Sequence, residues 1–151
     1  MIKYFTNTFS SINLYKNPST KSEVVTQMIY GESFSISQEK NKWLKIKIKE
    51  DNYKGYIQKK NYSEYLKPTH KINKLNAKIY KFSNRRVKIN ELTFNSKLKI
   101  TNKKSEFYKF AKGWIHKHDV SMIAFREKNY FNRINIFKNI KYKWGGKSFK
   151  G

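Results

Sequence analysis

The chain has 151 residues, 38% hydrophobic and 17% aromatic, with a formal net charge of +24 from 34 Lys+Arg against 10 Asp+Glu. The 11 Tyr, 11 Phe and 3 Trp exclude a disordered tail despite that charge, because aromatic rings let one or two small domains bury a large area. With no cysteine, a disulfide, a thiolate nucleophile and a Cys-based metal site are all excluded within this chain.

The first ten residues, Met1 to Ser10, hold no apolar core of signal-peptide length, and no later run approaches a membrane span. With Met1 as the natural start, the expected location is the cytoplasm, with no membrane partner. Strand signals follow. Asn13-Leu14-Tyr15-Lys16 opens a first unit, and Tyr30-Gly31-Glu32 marks a tight turn before the alternating Phe34-Ser35-Ile36. Trp43 to Lys49 alternates more cleanly still, with Leu44, Ile46 and Ile48 on one face and lysines on the other, the pattern of a half-buried antiparallel strand. A polar turn at Glu50-Asp51-Asn52 leads to a short strand at Tyr53 to Ile57, where Gly55 suits a close backbone approach. Lys67-Pro68-Thr69-His70 reads as a linker.

The same order then recurs. Lys78-Ile79-Tyr80-Lys81 repeats Asn13 to Lys16, Glu91 to Asn95 repeats Gln27 to Gly31, Leu98 to Ile100 repeats Phe34 to Ile36, Phe107 to Phe110 repeats Trp43 to Ile46, and Gly113-Trp114-Ile115 repeats Gly55 to Ile57. Most pairs are about 64 residues apart, with a shorter last hairpin in the second copy, so the chain carries an internal duplication. Asn95 in place of Gly31 keeps access to a left-handed turn. Trp43 and Trp114 read as core or rim packing, and Asp119 as a solvated turn residue. His116 and His118 would share a strand face, but no third ligand is evident, so a solvated strand end is expected and no metal site.

Beyond Ile123-Ala124-Phe125 the period changes. Tyr130, Phe131, Ile134, Phe137 and Ile140 recur at helical spacing, which predicts one amphipathic helix over about residues 127 to 139. Its apolar stripe needs a partner surface, either a barrel or a further domain. The basic residues are almost all lysine and spread along the chain. Two readings of them stay open: an AT-biased coding composition, or weak, salt-sensitive attraction to a polyanion such as nucleic acid.

Each repeat, with short strands, an irregular first loop and a closing Gly-aromatic-Ile strand, resembles the bacterial Src-homology-3-like barrel. Leu14 to Pro18, Ser22 to Gln27, Tyr30-Gly31-Glu32, Trp43 and Gly55-Tyr56-Ile57 carry that likeness in the first copy. Tyr142-Lys143-Trp144-Gly145-Gly146, after the predicted helix, resembles the approach to the nucleophile of NlpC-type cell-wall cysteine peptidases, where the family continues as x-Asp-Cys-Ser-Gly. The expected fold is therefore mainly β. It has two tandem bacterial Src-homology-3-like barrels, at 1–66 and 67–123, and at 124–151 one α-helix that begins a truncated papain-like α+β domain.

The resemblance implies a parent enzyme that cuts murein peptides between D-glutamate and the diamino acid. This chain has no catalytic residue, since the Cys is absent and neither His116 nor His118 stands where the family places its base. It is expected to be inactive alone and to use no cofactor. What the resemblance assigns to it is recognition. Glu32 and Tyr53 would grip the free amino terminus of a stem peptide, usually L-alanine, through charge-assisted hydrogen bonds. Tyr142 and Trp144 would line the groove beside the nucleophile, with the missing C-terminal catalytic domain as a partner. A blander role also stands for each: Glu32 as a turn carboxylate capping backbone or pairing a lysine, Tyr53 as a rim aromatic, Trp144 as a plug. A need for a free amine would reject cross-bridged wall and select released peptides, so the implied role is recycling. Two rival functions remain: a stand-alone module for cell-wall polymer or peptide, and a charge-driven polyanion or nucleic-acid binder.

Overall fold

The computed structural model of the chain describes residues 1–150. It is mainly β, with two Src-homology-3-like units in tandem along the chain. One unit comprises Met1–Leu66 together with the stretch from Lys141 on; the other is Lys67–Ile140.

In the first unit the strands are β1 (Tyr4–Thr6), β2 (Ser11–Tyr15), β3 (Val24–Ile29), β4 (Ser33–Lys40), β5 (Trp43–Ile48), β6 (Lys54–Gln58) and β7 (Ser63–Glu64). They form one antiparallel sheet in the order β3-β2-β6-β5-β4-β1-β7. The alternation in β5 does what its period dictates: Leu44, Ile46 and Ile48 are buried while Lys45 and Lys47 are exposed. These three join Leu14, Met28, Phe34 and Ile57 in a core that Phe5, Ile12, Ile36 and Tyr62 cover from the edges.

The second unit contains β8 (His70–Ile72), β9 (Asn76–Tyr80), β10 (Lys88–Thr93), β11 (Lys97–Leu98), β12 (Asn102–Lys104), β13 (Phe107–Phe110), β14 (Gly113–His116) and β15 (Val120–Met122). Here the strands divide into two sheets, β10-β9-β14-β13-β12 and β11-β8-β15. Ile72, Ile79, Leu92, Leu98, Phe110 and Ile115 are its buried centre.

The duplication is visible in backbone detail. Tyr15 on β2 pairs with Tyr56 on β6, and Tyr80 on β9 pairs with Trp114 on β14. A Cβ added at Gly55 would lie 2.6 Å from the Tyr15 carbonyl oxygen, and one at Gly113 would lie 2.6 Å from that of Tyr80. Each glycine exists because its strand crosses a neighbouring backbone with no room for a side chain. The turn after β3 has Gly31 at φ 83°, and the turn after β10 has Asn95 at φ 64°. The same turn bond closes both, from Glu32 N–H to Ile29 O and from Ser96 N–H to Thr93 O, each 3.2 Å.

The predicted helix is shorter than its period suggested. An α-helix, α1, spans only Tyr130–Ile134, followed by a single 3-10 turn at Asn135–Phe137. Asn129 caps it by accepting from Asn132 N–H, and the helical path stops where Lys138 turns to ψ 134° and Asn139 takes φ 71°. Asn at 129, 132, 135 and 139 offers competing local hydrogen bonds, and so short a helix gains little without a packed face. Its stripe finds part of that face on its own unit. Phe137 meets the Phe94 ring edge-on at 5.1 Å, and Ile134 and Tyr130 help Phe125 and Ile72 enclose a pocket of about 370 Å³. Phe131 is 87% exposed and remains outside it.

Candidate functional site

The turn that carries Glu32 is built from the residues around it. Buried Asn7 donates its side-chain amide to the carbonyls of Phe9, Met28 and Ile29, while its backbone N–H donates to Glu32 O and its carbonyl accepts from Gly31 N–H. Glu32 is thus fixed with only 6% of its surface exposed. Its Oε2 accepts from Ile29 N–H at 2.8 Å, and its Oε1 accepts from the Lys147 ammonium at 3.2 Å. The same ammonium donates to Asp51 Oδ2. Asp51 is itself held in a tight turn, where its Oδ1 accepts from Tyr53 N–H at 3.1 Å and Asn52 takes φ 63°. Glu50 stands beside them, its carboxylate accepting from Ser33 N–H. In a chain carrying 34 basic residues and 10 acidic ones, two carboxylates share one lysine, and a third, Glu50, acts on Glu32.

Lys147 arrives there because the strand of chain before it lies flat on β3. Gly145, at φ 69°, comes so close that a Cβ would sit 3.1 Å from Thr26 Cα. Lys147 N–H then donates to the Gln27 side-chain oxygen at 3.0 Å, and the Gln27 amide donates to Asn13 Oδ1.

The charges answer unequally. Burial pushes the Glu32 carboxyl above its ordinary value, and Lys147 and Ile29 N–H only partly offset it. Burial opposes the Lys147 charge too, but hydrogen bonding and attraction from two carboxylates win, so its pKa rises. The difference follows from the counts: the lysine has two acidic partners, the more enclosed glutamate one lysine. Elsewhere Lys3 and Lys117 hydrogen-bond the exposed Glu64 and Glu106 and hold them low, and the Asn129 N–H and Arg133 do the same for Glu127. A carboxyl-detected NMR titration is therefore expected to show Glu32 protonating before Glu64, Glu106 and Glu127 as pH falls. The linkage signs are opposite. Glu32 adds stability that is full below its unfolded pKa and lost as pH rises through its higher folded one. Glu64 and Glu106 add stability above theirs, lost as pH falls through the folded value.

Of the residues singled out in the sequence, Glu32 stands at the centre of this cluster, and Tyr53 is tied by its backbone to Asp51 while its side chain is 47% exposed. Tyr142 and Trp144 are 85% and 65% exposed, so Trp144 is not a packed plug. Both of the plainer roles for Glu32, backbone cap and lysine partner, are realised at once. Sequence reasoning passed over Asp51, Gln27 and Lys147. Asp51 could have been noticed as one of only two aspartates, two positions before Tyr53. Nothing local flagged Lys147 among so many lysines. His116 and His118 each lie 3.9 Å from Glu106, whose other oxygen is 2.6 Å from Lys117. Among the described residues no group of three His, Cys, Asp or Glu side chains is placed to hold a metal ion. A second concavity of about 540 Å³ lies in the first unit between Pro18, Trp43, Tyr56 and the lysines 40, 42 and 45, so Trp43 packs at a rim against Tyr15 and also faces an open cleft.

Residues 14–61 match the bacterial dipeptidyl-peptidase SH3 domain. Among solved structures the chain is similar to an NlpC/P60 family protein from Bacillus cereus ATCC 10987, with a TM-score of 0.76 and 17% identity, covering 98% of this chain and 68% of that one. NlpC2 from Trichomonas vaginalis gives a TM-score of 0.34 at 19% identity over 95% of this chain and 58% of its own. NlpC1 from the same organism gives 0.35 at 16% over 80% and 45%. No curated protein matches the chain. The likeness to the Bacillus cereus protein is one of fold: the chain is folded as the SH3-like N-terminal part of an NlpC-type protein. Among the described residues no helix is long and apolar enough to cross a membrane.

Proposed function

We propose that this chain is the substrate-recognition part of a murein-peptide endopeptidase, and that its first unit receives the free amino terminus of a stem peptide. One observation carries the reading: a carboxylate buried to 6% exposure, with Asp51 beside it, engages a primary ammonium. The ammonium present is Lys147, which has the same –NH₃⁺ donor set as a peptide amino terminus. In a partly desolvated pocket, charge-assisted bonds of this kind are roughly twice as strong as neutral ones. Tyr53, tied by its backbone N–H to Asp51, would supply the phenol, and the exposed Tyr142 and Trp144 would supply flat surfaces on the approach to Lys147. In this reading residues 124–151 begin the peptidase domain, the substrate is a released peptide, and the work is cytoplasmic recycling. The Cys and His of the reaction lie outside this chain, so its own contribution is to bind and orient.

The test is calorimetry of the 151-residue chain with L-Ala-γ-D-Glu-diamino acid tripeptide. Binding that is lost on N-acetylation of the peptide, and weakened at least tenfold by Glu32→Gln, supports the reading. Equal binding of the free and acetylated peptides would remove it. A cell-wall module is the outcome if insoluble murein binds and free tripeptide does not compete. The lysine-lined cleft at Trp43 makes a polyanion binder the outcome if affinity instead collapses with salt and ignores Glu32.

A further inference from the structure

We propose that Lys147 is a built-in competitor for the amine subsite, so that a peptide amino terminus enters only by displacing the lysine, and that this displacement sets the specificity of the site. The inference rests on the amine-recognition reading above and adds what controls it.

Two ammonium groups cannot share this pocket. Like charges in adjacent positions repel at the effective dielectric of a partly buried site by more than a second hydrogen bond to the same carboxylate returns. Glu32 Oε2 accepts from Ile29 N–H and its Oε1 from Lys147, so a ligand ammonium at this carboxylate would have to stand against the Lys147 charge. Occupation by Lys147 is therefore exclusive.

The lysine is also positioned to leave without unfolding the barrel. Its strap carries Gly145 and Gly146, and Gly146 N–H closes a turn on Lys143 O at 2.9 Å. Lys147 N–H is tied to β3 through a side chain, Gln27 Oε1, and among the described residues no ladder pairing joins the strap to the sheet. The carboxylates, by contrast, are fixed from within the first unit by Ile29, Ser33 and Tyr53 N–H groups. The pocket keeps its shape when the strap lifts.

The physical consequence is selectivity. A tethered ammonium has an effective concentration in at least the millimolar range, so a simple amine at lower concentration loses the contest. A ligand prevails only if it brings a second point of attachment, as a peptide with its own carboxylates and side chains does. The second unit shows what the position looks like without this function: the residue that stands where Glu32 does is Ser96, buried and with an unpartnered hydroxyl.

The experiment compares the wild-type chain with Lys147→Ala and Lys147→Met, the latter keeping an aliphatic stem if alanine unfolds the strap. The probes are L-alaninamide and methylammonium, read by NMR shifts of the Ile29 amide, with tetramethylammonium as a cation that cannot donate. Both variants are expected to bind L-alaninamide at least tenfold more tightly than wild type and to respond to methylammonium but not to tetramethylammonium. Adding Glu32→Gln to either is expected to abolish the response. Equal affinity in wild type and variants, still lost with Glu32→Gln, overturns the competition while leaving amine recognition standing. Weaker binding in the variants overturns it too, by making Lys147 a helper. No amine response in any form overturns both the competition and the reading beneath it.

Discussion

Phe34→Ala is expected to destabilise the first unit by about 3–5 kcal/mol, seen as a lower urea midpoint with an unchanged slope. Phe34 is fully buried on β4, where its ring stacks on Phe5 at 5.9 Å and receives the edge of Tyr62 at 5.1 Å. The loss combines the transfer of a whole ring with a cavity that its neighbours cannot close. Phe5 sits on β1, directly across the ladder from Phe34, and is held there by backbone pairing. Against a total stability of about 5–15 kcal/mol for a small domain, this change threatens folding at physiological temperature. Phe34→Leu keeps most of the volume and is expected to cost well under half as much. A Phe34→Ala chain that loses less than about 1 kcal/mol would contradict the assignment of this ring to the centre of the core.

Gly113→Ala is expected to cost the second unit about 2–5 kcal/mol, from overpacking and from backbone strain together. A methyl there meets Tyr80 O at 2.6 Å and Ile79 Cγ2 at 3.1 Å, with the residue at φ 145°, a conformation that L side chains rarely adopt. Its counterpart gives an internal control. Gly55→Ala makes the same 2.6 Å clash, with Tyr15 O, but Gly55 has no positive φ. The carbonyl clash is shared, and Gly55 adds the tighter side-chain contact, Leu14 Cγ at 2.9 Å, so a Gly113→Ala loss about 1 kcal/mol or more beyond that of Gly55→Ala is expected from strain. Urea melts followed on Ile57 and Ile115 amides would measure both; a Gly113→Ala loss no larger than that of Gly55→Ala would contradict a dominant strain contribution.

Much of the architecture could be read along the chain. The period of two in Trp43 to Lys49 names the buried face of β5 because successive side chains on a strand must point to opposite sides. The recurrence of Gly31 as Asn95 announces a left-handed turn, and both positions have positive φ. The helix was overextended for the opposite reason. A period of 3.6 measures which residues could share a face, whereas helix length depends on whether that face is packed, and Phe137 meets only a half-buried partner in Phe94 while Phe131 stays exposed.

The candidate site divides the same way. Tyr30-Gly31-Glu32 marked the carboxylate, because a turn of that composition shows itself locally. The partner of Glu32 stands 115 positions away and is one lysine among many. Asp51 looked like a polar turn residue, and it is one, yet it also shares the ammonium of Lys147.

The amino-acid sequence by itself determined the strand faces, the duplicated turn and the place of the acidic residue, since each follows from the stereochemistry of neighbouring residues. Only the tertiary structure decided which lysine meets Glu32. That choice depends on Gly145 bringing a distant segment against β3, and on burial making one ion pair out of charges that would otherwise be solvated separately.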